Sequence, residues 1–530
     1  MAQDCVMNPF VGGTYSLQGN SFGCREALNV YLQSGEGMAK YSAILIGTPG
    51  TKGLVELESL VGANQGCRGM YLSSTSQHDG GNLFWIYGAS VGYTYKDAAT
   101  GELKSKLVAN IGLNTTRVSI CDNGFECTMT DGNIMLNIDL YSDVATDITS
   151  SLPFKRPKQV VYLQGRTYCI CSDPDKTVDK ALTDVIKNNL IWYSKLGDAK
   201  VWGGADFTAA DLNADAVQAI VVRQGDVWAF GPRSYQIFQT TADANDPLSY
   251  APGSGTLIGT TAPDSVTAIS DTVFWLGSNS SGRNIVFKAT AFNSVRISNH
   301  GIETTLTEMA TLTDSAYGFS YQESGHLFYV LTIPAGFYEF EGSTKFSDGK
   351  TLVYDTLTEQ WHERASREPK TGKLQAWQPL FSAYAWGKVI VGNLLWPTLM
   401  ELRNDIYTDY DPTTPDKRKP ILRQFQGPVF YDNLQLFILD EFTVDLVAGH
   451  GPLNGLSKDP VMLLQVSHDS GNTWGSVITE KVPKTGNYGG RVRWNRLGSS
   501  RGIVVRLSFS EDMQFMMGEA RIRTRTSRNP

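Results

Sequence analysis

Between Ser467 and Trp474 the sequence Ser-His-Asp-Ser-Gly-Asn-Thr-Trp sets three hydroxyls, an imidazole, a carboxylate and an indole within eight positions. The chemistry this order favours is a structural tie. Asp469 can accept backbone N–H bonds across a turn, Gly471 can take positive φ, and Trp474 can pack beneath. Histidine is otherwise scarce: His78, His300, His326, His362, His450 and His468 are the whole set, and no two lie within four residues as a helical metal pair requires. The seven cysteines (Cys5, Cys24, Cys67, Cys121, Cys127, Cys169 and Cys171) lie in the first third of the chain. An odd number without framework spacing predicts free thiols in a reducing compartment. Cys169 and Cys171 would share one face of a strand, and no second Cys/His pair stands nearby to complete a zinc site. There is neither a Gly-x-Ser-x-Gly elbow nor a Walker loop. No residue is therefore assigned a catalytic or metal-binding role, and no cofactor is expected.

Charge carries more information than reactivity. The 530 residues have a formal net charge of −7. Residues 481–530 hold eleven basic side chains against Glu511, Asp512 and Glu519, a balance of +8 that leaves −15 for the remainder. In a strand, Arg521, Arg523 and Arg525 project from one face. With Arg491 and Arg493 they form a basic docking face in the reading adopted here. An edge strand guarded by charge is the ordinary explanation; an electrostatic dock for an acidic partner or for DNA phosphates is the sharper one. A protein partner is favoured over DNA, because nucleic-acid clamps are usually basic domains.

These residues must be positioned by strands. Aromatic residues make up 11% of the sequence, and short β-branched and aromatic runs end at Gly, Asn or Asp throughout, which is a strand-and-turn signature. One unit recurs: Phe84-Trp85-Ile86-Tyr87, Val161-Tyr162-Leu163, Val227-Trp228-Ala229-Phe230, Val273-Phe274-Trp275-Leu276, Leu327-Phe328-Tyr329-Val330 and Val389-Ile390-Val391. Repeats of roughly 50 residues, each too small to bury both faces alone, predict an all-β propeller of about six four-stranded blades. The apolar runs would be the inner strands, buried on both sides.

The expected organisation is an N-terminal arm over 1–40 packing on another module, a propeller over 41–408, an extended proline-rich linker over 409–420, and a C-terminal β-sandwich over 421–530. A short helical insertion is expected over 177–192, from Val178, Leu182, Val185, Ile186 and Leu190. No run approaches the 18 apolar residues of a membrane span, and the N-terminus lacks the pattern of a signal peptide. No membrane insertion is expected.

Two resemblances follow. Ser467, Asp469, Gly471, Thr473 and Trp474 match the Asp-box of sialidases and other β-repeat proteins, where the box is structural. A glycoside hydrolase or glycan-binding tail protein acting on the host surface is accordingly the alternative reading. The acidic, arginine and tyrosine set that a sialidase needs is not evident, and Phe154-Lys155-Arg156-Pro157 departs from the Phe-Arg-Ile-Pro of those enzymes.

Much more of the chain resembles the phage packaged-DNA stabilisation proteins. The likeness runs through Val227-Trp228-Ala229-Phe230-Gly231-Pro232-Arg233-Ser234-Tyr235-Gln236-Ile237-Phe238 and Ile258-Gly259-Thr260-Thr261-Ala262-Pro263. It continues in Arg296-Ile297-Ser298-Asn299-His300-Gly301-Ile302-Glu303 and His326-Leu327-Phe328-Tyr329-Val330-Leu331. The resemblance implies a non-enzymatic tail hub, or nozzle, of a short-tailed bacteriophage. Such a subunit would form a ring, a homohexamer, on the portal or adaptor ring protein, and carry a tail fibre or tailspike and a tail tip or needle protein. Packaged dsDNA would pass through the lumen without sequence-specific binding. The protein would reside in the virion tail after assembly in the host cytoplasm.

Overall fold

In four of its repeats the chain reverses through a two-residue turn ending in glycine: Gln164-Gly165, Gln224-Gly225, Ser324-Gly325 and Trp386-Gly387. Both residues of each pair lie at positive φ. Such turns match the twist of paired strands and so make tight antiparallel hairpins. Each joins the first two strands of one blade. The computed structural model describes residues 3–6, 10–16, 24–35, 40–113, 116–173, 189–213, 216–280, 282–340, 342–368, 370–432, 435–446, 459–483 and 490–526.

Seven blades follow in order. Their first strands are Cys67–Leu72, Ser119–Asp122, Lys155–Leu163, Ala219–Arg223, Thr267–Ile269, Tyr317–Glu323 and Pro379–Ala385. Each first strand touches the first strand of the next blade, and the seventh touches the first, so the ring is closed. The seventh blade takes its outer strand from the front of the chain: Gly50–Glu56 pairs antiparallel with Thr398–Arg403. Closure therefore depends on residues about 350 positions apart, a long loop whose entropic cost rises only slowly with length.

The structure corrects the sequence reading in several places. The apolar runs mark second strands, one step out from the axis, in every blade where they occur except the third, where Val161 belongs to the first strand. Second strands are fully sandwiched between adjacent blades, so Leu83–Tyr87 is buried along its whole length. The interval from Phe84 to Val161 conceals an additional blade, whose second strand is Glu126–Thr130. The segment 409–420 is a hairpin and not an extended connector: Thr408–Tyr410 pairs with Arg418–Pro420, and Asp409, Tyr410 and Asp411 are buried. Its prolines sit outside the ladder positions that need a donor, which is where strands tolerate them. Most of the segment expected as a helix at 177–192 lies outside the described residues, while Leu190–Lys195 is a strand of blade three. A helix does form at His300–Glu308, between blades five and six. Asn299 caps it by accepting from the Ile302 N–H at 3.0 Å, and Ile302 and Leu306 bury its inner face.

The remaining strands make a sandwich. One sheet runs Val30–Ser34, Ala43–Gly47, Met516–Thr526, Phe437–Leu446, Arg491–Asn495, with Gln3–Val6 also on Met516–Thr526. The other runs Cys24–Leu28, Arg423–Gln426, Gly502–Phe509, Val461–Ser467, Ile478–Lys481. The described parts of the 1–40 segment thus supply strands to this sandwich, and the boundary expected at 41 would cut the ladder between Val30–Ser34 and Ala43–Gly47. Phe10, Phe425, Phe442 and Trp494 fill the core between the sheets. Cys24–Leu28 also meets the outer strand of blade six, Gln360–Arg367, so a blade and a sandwich sheet form one continuous sheet.

Candidate functional site

The five arginines named from sequence are brought together on the first sandwich sheet. Arg491 and Arg493 lie on one side of the strand Phe437–Leu446, and Arg521, Arg523 and Arg525 lie on the other, with their side chains exposed. Val492, Trp494 and Ile522 alternate with them and point inward. The strand between them is acidic. Arg525 grips Asp440 through two bonds, 2.6 and 2.8 Å. Arg493 and Arg523 share Glu441 at 3.4 and 3.6 Å. Burial raises the Asp445 pKa, yet hydrogen bonds from Lys40 and Tyr41 and the charges of Lys40 and Arg491 hold it below the usual carboxylate range. Arg521 has no carboxylate within ion-pair distance among the described residues. The face is therefore a charge ladder: five arginines and Lys40 against three acids, a surplus of three positive charges. Sequence windows overstated it, because the neutralising acids sit on a strand some fifty residues earlier.

The Asp-box lies elsewhere, on the second sheet, in the turn that follows Val461–Ser467. The Thr473 N–H and hydroxyl donate to Asp469 at 2.8 and 2.6 Å, the Ser467 hydroxyl donates to it at 2.6 Å, and the Gly471 N–H donates to Ser467 Oγ at 2.7 Å. Gly471 has φ +98. The bonds from Ser467 and Thr473 hold the Asp469 carboxyl well below its ordinary range. Trp474 stacks under the Arg506 guanidinium at 3.7 Å. The Ser467 hydroxyl, the Asp469 carboxylate and the Thr473 hydroxyl are all occupied in closing their own turn.

A buried polar cluster in blade six looks more like catalytic machinery. His326 Nδ1 lies 2.7 Å from Asp355 Oδ2. Arg364, fully buried, donates from Nε to His362 Nε2 at 3.1 Å and from Nη1 to the Tyr321 hydroxyl. Its guanidinium lies against the Phe328 and Trp377 rings. Burial pushes the Glu323 carboxyl up to about 7 and, with the charge of Arg364, drives the His362 pKa well below its ordinary value. Yet among the described residues the His–Asp pair reaches no free nucleophile: the Thr358 hydroxyl already donates to the same carboxylate at 2.8 Å. Tyr31, from the sandwich, closes over His326 and Phe328 edge-on. The cluster rivets two modules together. Its sequence signal was the spacing of His326, Asp355, His362 and Arg364 over three adjacent strands, legible only once pairing was known.

A cavity of about 910 Å³ lies between blade seven, the 408–420 hairpin and the sandwich. Its charges cancel: Lys417 pairs with Glu56, Arg403 with Asp405, and Arg418 with Asp512. The described residues include no group of three or more metal-ligating side chains, and no helix long and apolar enough to cross a membrane. The described cysteines Cys67, Cys121, Cys127, Cys169 and Cys171 are buried free thiols.

Comparison with known proteins decides the relationship. Residues 137–407 match the family described as bacteriophage P22 Gp10, β-propeller, and residues 422–525 match bacteriophage P22 Gp10, β-sandwich. The chain belongs to the P22 Gp10 family. That family is a structural one, the tail hub of a phage, and both of its modules are present here in order. The propeller match begins at the third strand of blade two, so blade one and the closing strand Gly50–Glu56 precede it. A search of the curated proteins finds no match. Among solved structures, the N-terminal domain of Nup159 is similar at 11% identity and TM-score 0.36, over 71% of this chain and 98% of that one. The extracellular domain of the putative one-component system BT4673 from B. thetaiotaomicron is similar at 10% and 0.39, over 83% of this chain and 49% of that one. An exo-β-1,3-galactanase from Phanerochaete chrysosporium is similar at 10% and 0.25, over 86% of this chain and all of that one. Scores this low carry no argument about function.

Proposed function

We propose that this Gp10-family chain is a non-enzymatic tail-hub subunit that forms a ring, by family resemblance a homohexamer, beneath the portal and its adaptor. The ring retains packaged DNA, extends the exit channel, and carries fibres or spikes and a tip. The observation that carries this reading is the match of both modules in one chain, supported by the sheet they share. Modules joined through a continuous ladder move as one rigid body, and rigid subunits meeting through heterologous contacts close into rings. The DNA path runs between copies in this proposal, because the bore of the propeller is occupied. Arg117, from the loop before blade two, reaches across it to the Tyr317 ring of blade six and the Phe381 ring of blade seven. A net-acidic lumen would let phosphates slide, whereas a basic one would grip them.

The arginine ladder is the proposed dock for an acidic face of the adaptor. Replacing Arg521, Arg523 and Arg525 by Glu should abolish co-assembly of the purified protein with adaptor rings at moderate salt, as seen by negative-stain imaging. The corresponding Gln triple, which adds no repulsion against Asp440 and Glu441, should weaken it. Unchanged assembly in both variants would remove this face from the interface. Release of oligosaccharide from host polysaccharide would overturn the non-enzymatic reading.

A further inference from the structure

The cleft between blade seven, the 408–420 hairpin and the sandwich serves no part of the fold or of a hub role described above. Its volume, about 910 Å³, is of the order that encloses a drug-sized ligand. The closing strand Gly50–Glu56 gives Lys52, Gly53 and Glu56 to the lining, and the chain leading into the hairpin gives Arg403, Asp405 and Tyr407. Gly53 lets the buried Tyr410 ring approach the backbone, since a Cβ there would fall 2.5 Å from a ring carbon. The Tyr410 hydroxyl is thereby placed to donate to Glu56 Oε1 at 3.1 Å.

The ion pairs of the cleft leave part of each planar group unused. Lys417 and Tyr410 both bond Glu56 through Oε1, so Oε2 has no partner among the described residues. Arg403 holds Asp405 with Nε and Nη2, which leaves Nη1 free among the described residues. Each pair fixes its guanidinium or carboxylate in place while one edge remains open to a ligand. The three ion pairs of the lining, with Lys52 and Asp416, give four charges of each sign. An ion therefore meets no net charge here, and an apolar ligand would leave donors and acceptors unsatisfied. The apolar lining among the described residues is Ile406 with the Tyr407 and Tyr410 rings, whereas recognition of a bound peptide usually needs pockets for its side chains.

We propose that this cleft binds a neutral oligosaccharide, with the Tyr407 ring against a sugar face and the free edges of Arg403 and Glu56 on neighbouring hydroxyls. A hydroxyl both donates and accepts, so adjacent hydroxyls can serve a guanidinium N–H and a carboxylate oxygen together. Tyr407 is half-buried, with the buried Arg423 guanidinium 5.9 Å from its ring centroid. Such a ring offers an apolar face to the C–H side of a sugar and a polar tip to its hydroxyls. Lys417 and Arg403 hold Glu56 and Asp405 below the usual carboxylate range, so neither supplies the protonated acid of glycoside hydrolysis. The role is binding without cleavage. The site lies apart from the Asp-box, belongs to a single subunit and does not depend on the hub reading.

The test is saturation-transfer NMR of the intact protein with maltotriose, cellotriose, mannotriose and galactotriose, followed by calorimetric titration of the best. At least one should bind with a dissociation constant of about 1 mM or below. Tyr407→Ala and Arg403→Met should each weaken it about tenfold, through the lost ring contact and the lost charge-assisted bond. Arg403→Met breaks a surface ion pair and should keep the wild-type Tm, so the proposal stays testable even if Tyr407→Ala folds poorly. Asp469→Ala should bind as the wild type does, and 3′-sialyllactose, equal in size but charged, should bind no better than the neutral sugars. No binding by any of the neutral trisaccharides, binding unchanged in Arg403→Met, binding lost in Asp469→Ala, or preference for the charged sugar would each overturn the proposal.

Discussion

The propeller and the sandwich are built from the same kind of strand but by opposite use of the chain. In the propeller nearly every ladder joins strands that follow one another, such as Leu83–Tyr87 with Ser90–Lys96, and a single long-range pairing closes the ring. In the sandwich the pairings are distant: Gln3 lies opposite Thr524, Glu26 opposite Gln426, and Met516 opposite Ile46. Both ends of the chain are thus held in one module, and the other hangs between them as a closed loop. Division of the sequence into consecutive domains misrepresents such a protein. The sandwich cannot form until the propeller has been synthesised, and the propeller cannot close without a strand that leads straight out of the sandwich.

The largest effect should come from the residue that joins the two regions. Asn29 is buried, with φ +53, a conformation Asn tolerates better than most residues. Its Nδ2 donates to the Ala365 carbonyl of blade six and to the Leu422 carbonyl beside the sandwich, both at 2.9 Å, and its Oδ1 accepts from the Ala365 N–H at 3.0 Å. Asn29→Ala removes three bonds and leaves buried partners unsatisfied, so a loss of about 3 kcal/mol is expected. In urea both modules of the wild type should unfold in one transition, and the variant should move that single midpoint down. Two resolved transitions in the wild type would break the claim that the shared sheet couples the modules.

The contrast also explains what could be read beforehand. Local hairpins leave a local trace: of the six apolar runs that announced a propeller, five are second strands buried on both faces. Blade two left none, because its second strand reads Glu-Cys-Thr-Met-Thr. Its polar members are satisfied in place: Thr130 donates to the Pro157 carbonyl at 2.7 Å, and Thr128 accepts from Asn137 at 3.2 Å. Hydrogen bonding there substitutes for apolar character, and hydropathy is blind to it. The arginine ladder was half legible. Alternation placed Arg521, Arg523 and Arg525 on one face, but the acids between them come from a strand that sequence could not pair. Arg117 left no signal, being a lone basic residue until the ring sets it against Tyr317 and Phe381.

A smaller effect, one that distinguishes the seam from the interior of each module, concerns pH. The Glu323 carboxyl stands at about 7 in the folded protein, raised by burial against the opposing charges of Arg364 and His326. A carboxyl raised above its unfolded value contributes stability that is present below about pH 4.5 and is lost as pH rises through 7. His362 works in the reverse sense: its depressed pKa means that stability is lost as pH falls below its unfolded value, near 6.5. Asp409, pushed up to about 6 at the hairpin, has the sign of Glu323. Glu323→Gln should therefore gain on the wild type in urea midpoint as pH goes from 5 to 8. A constant difference across that range would show that Glu323 ionises freely and that the seam is wetter than its packing indicates.

The smallest effect belongs to the motif that looked most chemical. Asp469 is at the surface and serves one turn, so Asp469→Ala should leave the global unfolding midpoint nearly unchanged. What should change is local. The Thr473 amide loses its acceptor directly, and the Gly471 amide keeps Ser467 Oγ, whose own partner has gone. Amide exchange should accelerate strongly at Thr473, weakly at Gly471, and not at all along Val461–Ser467, whose ladder to Gly502–Phe509 is independent of the turn. Faster exchange spreading into that strand would mean that the turn sets the register of the second sheet. The Asp-box would then be a part of the sandwich core's specification and not merely the clasp on one of its hairpins.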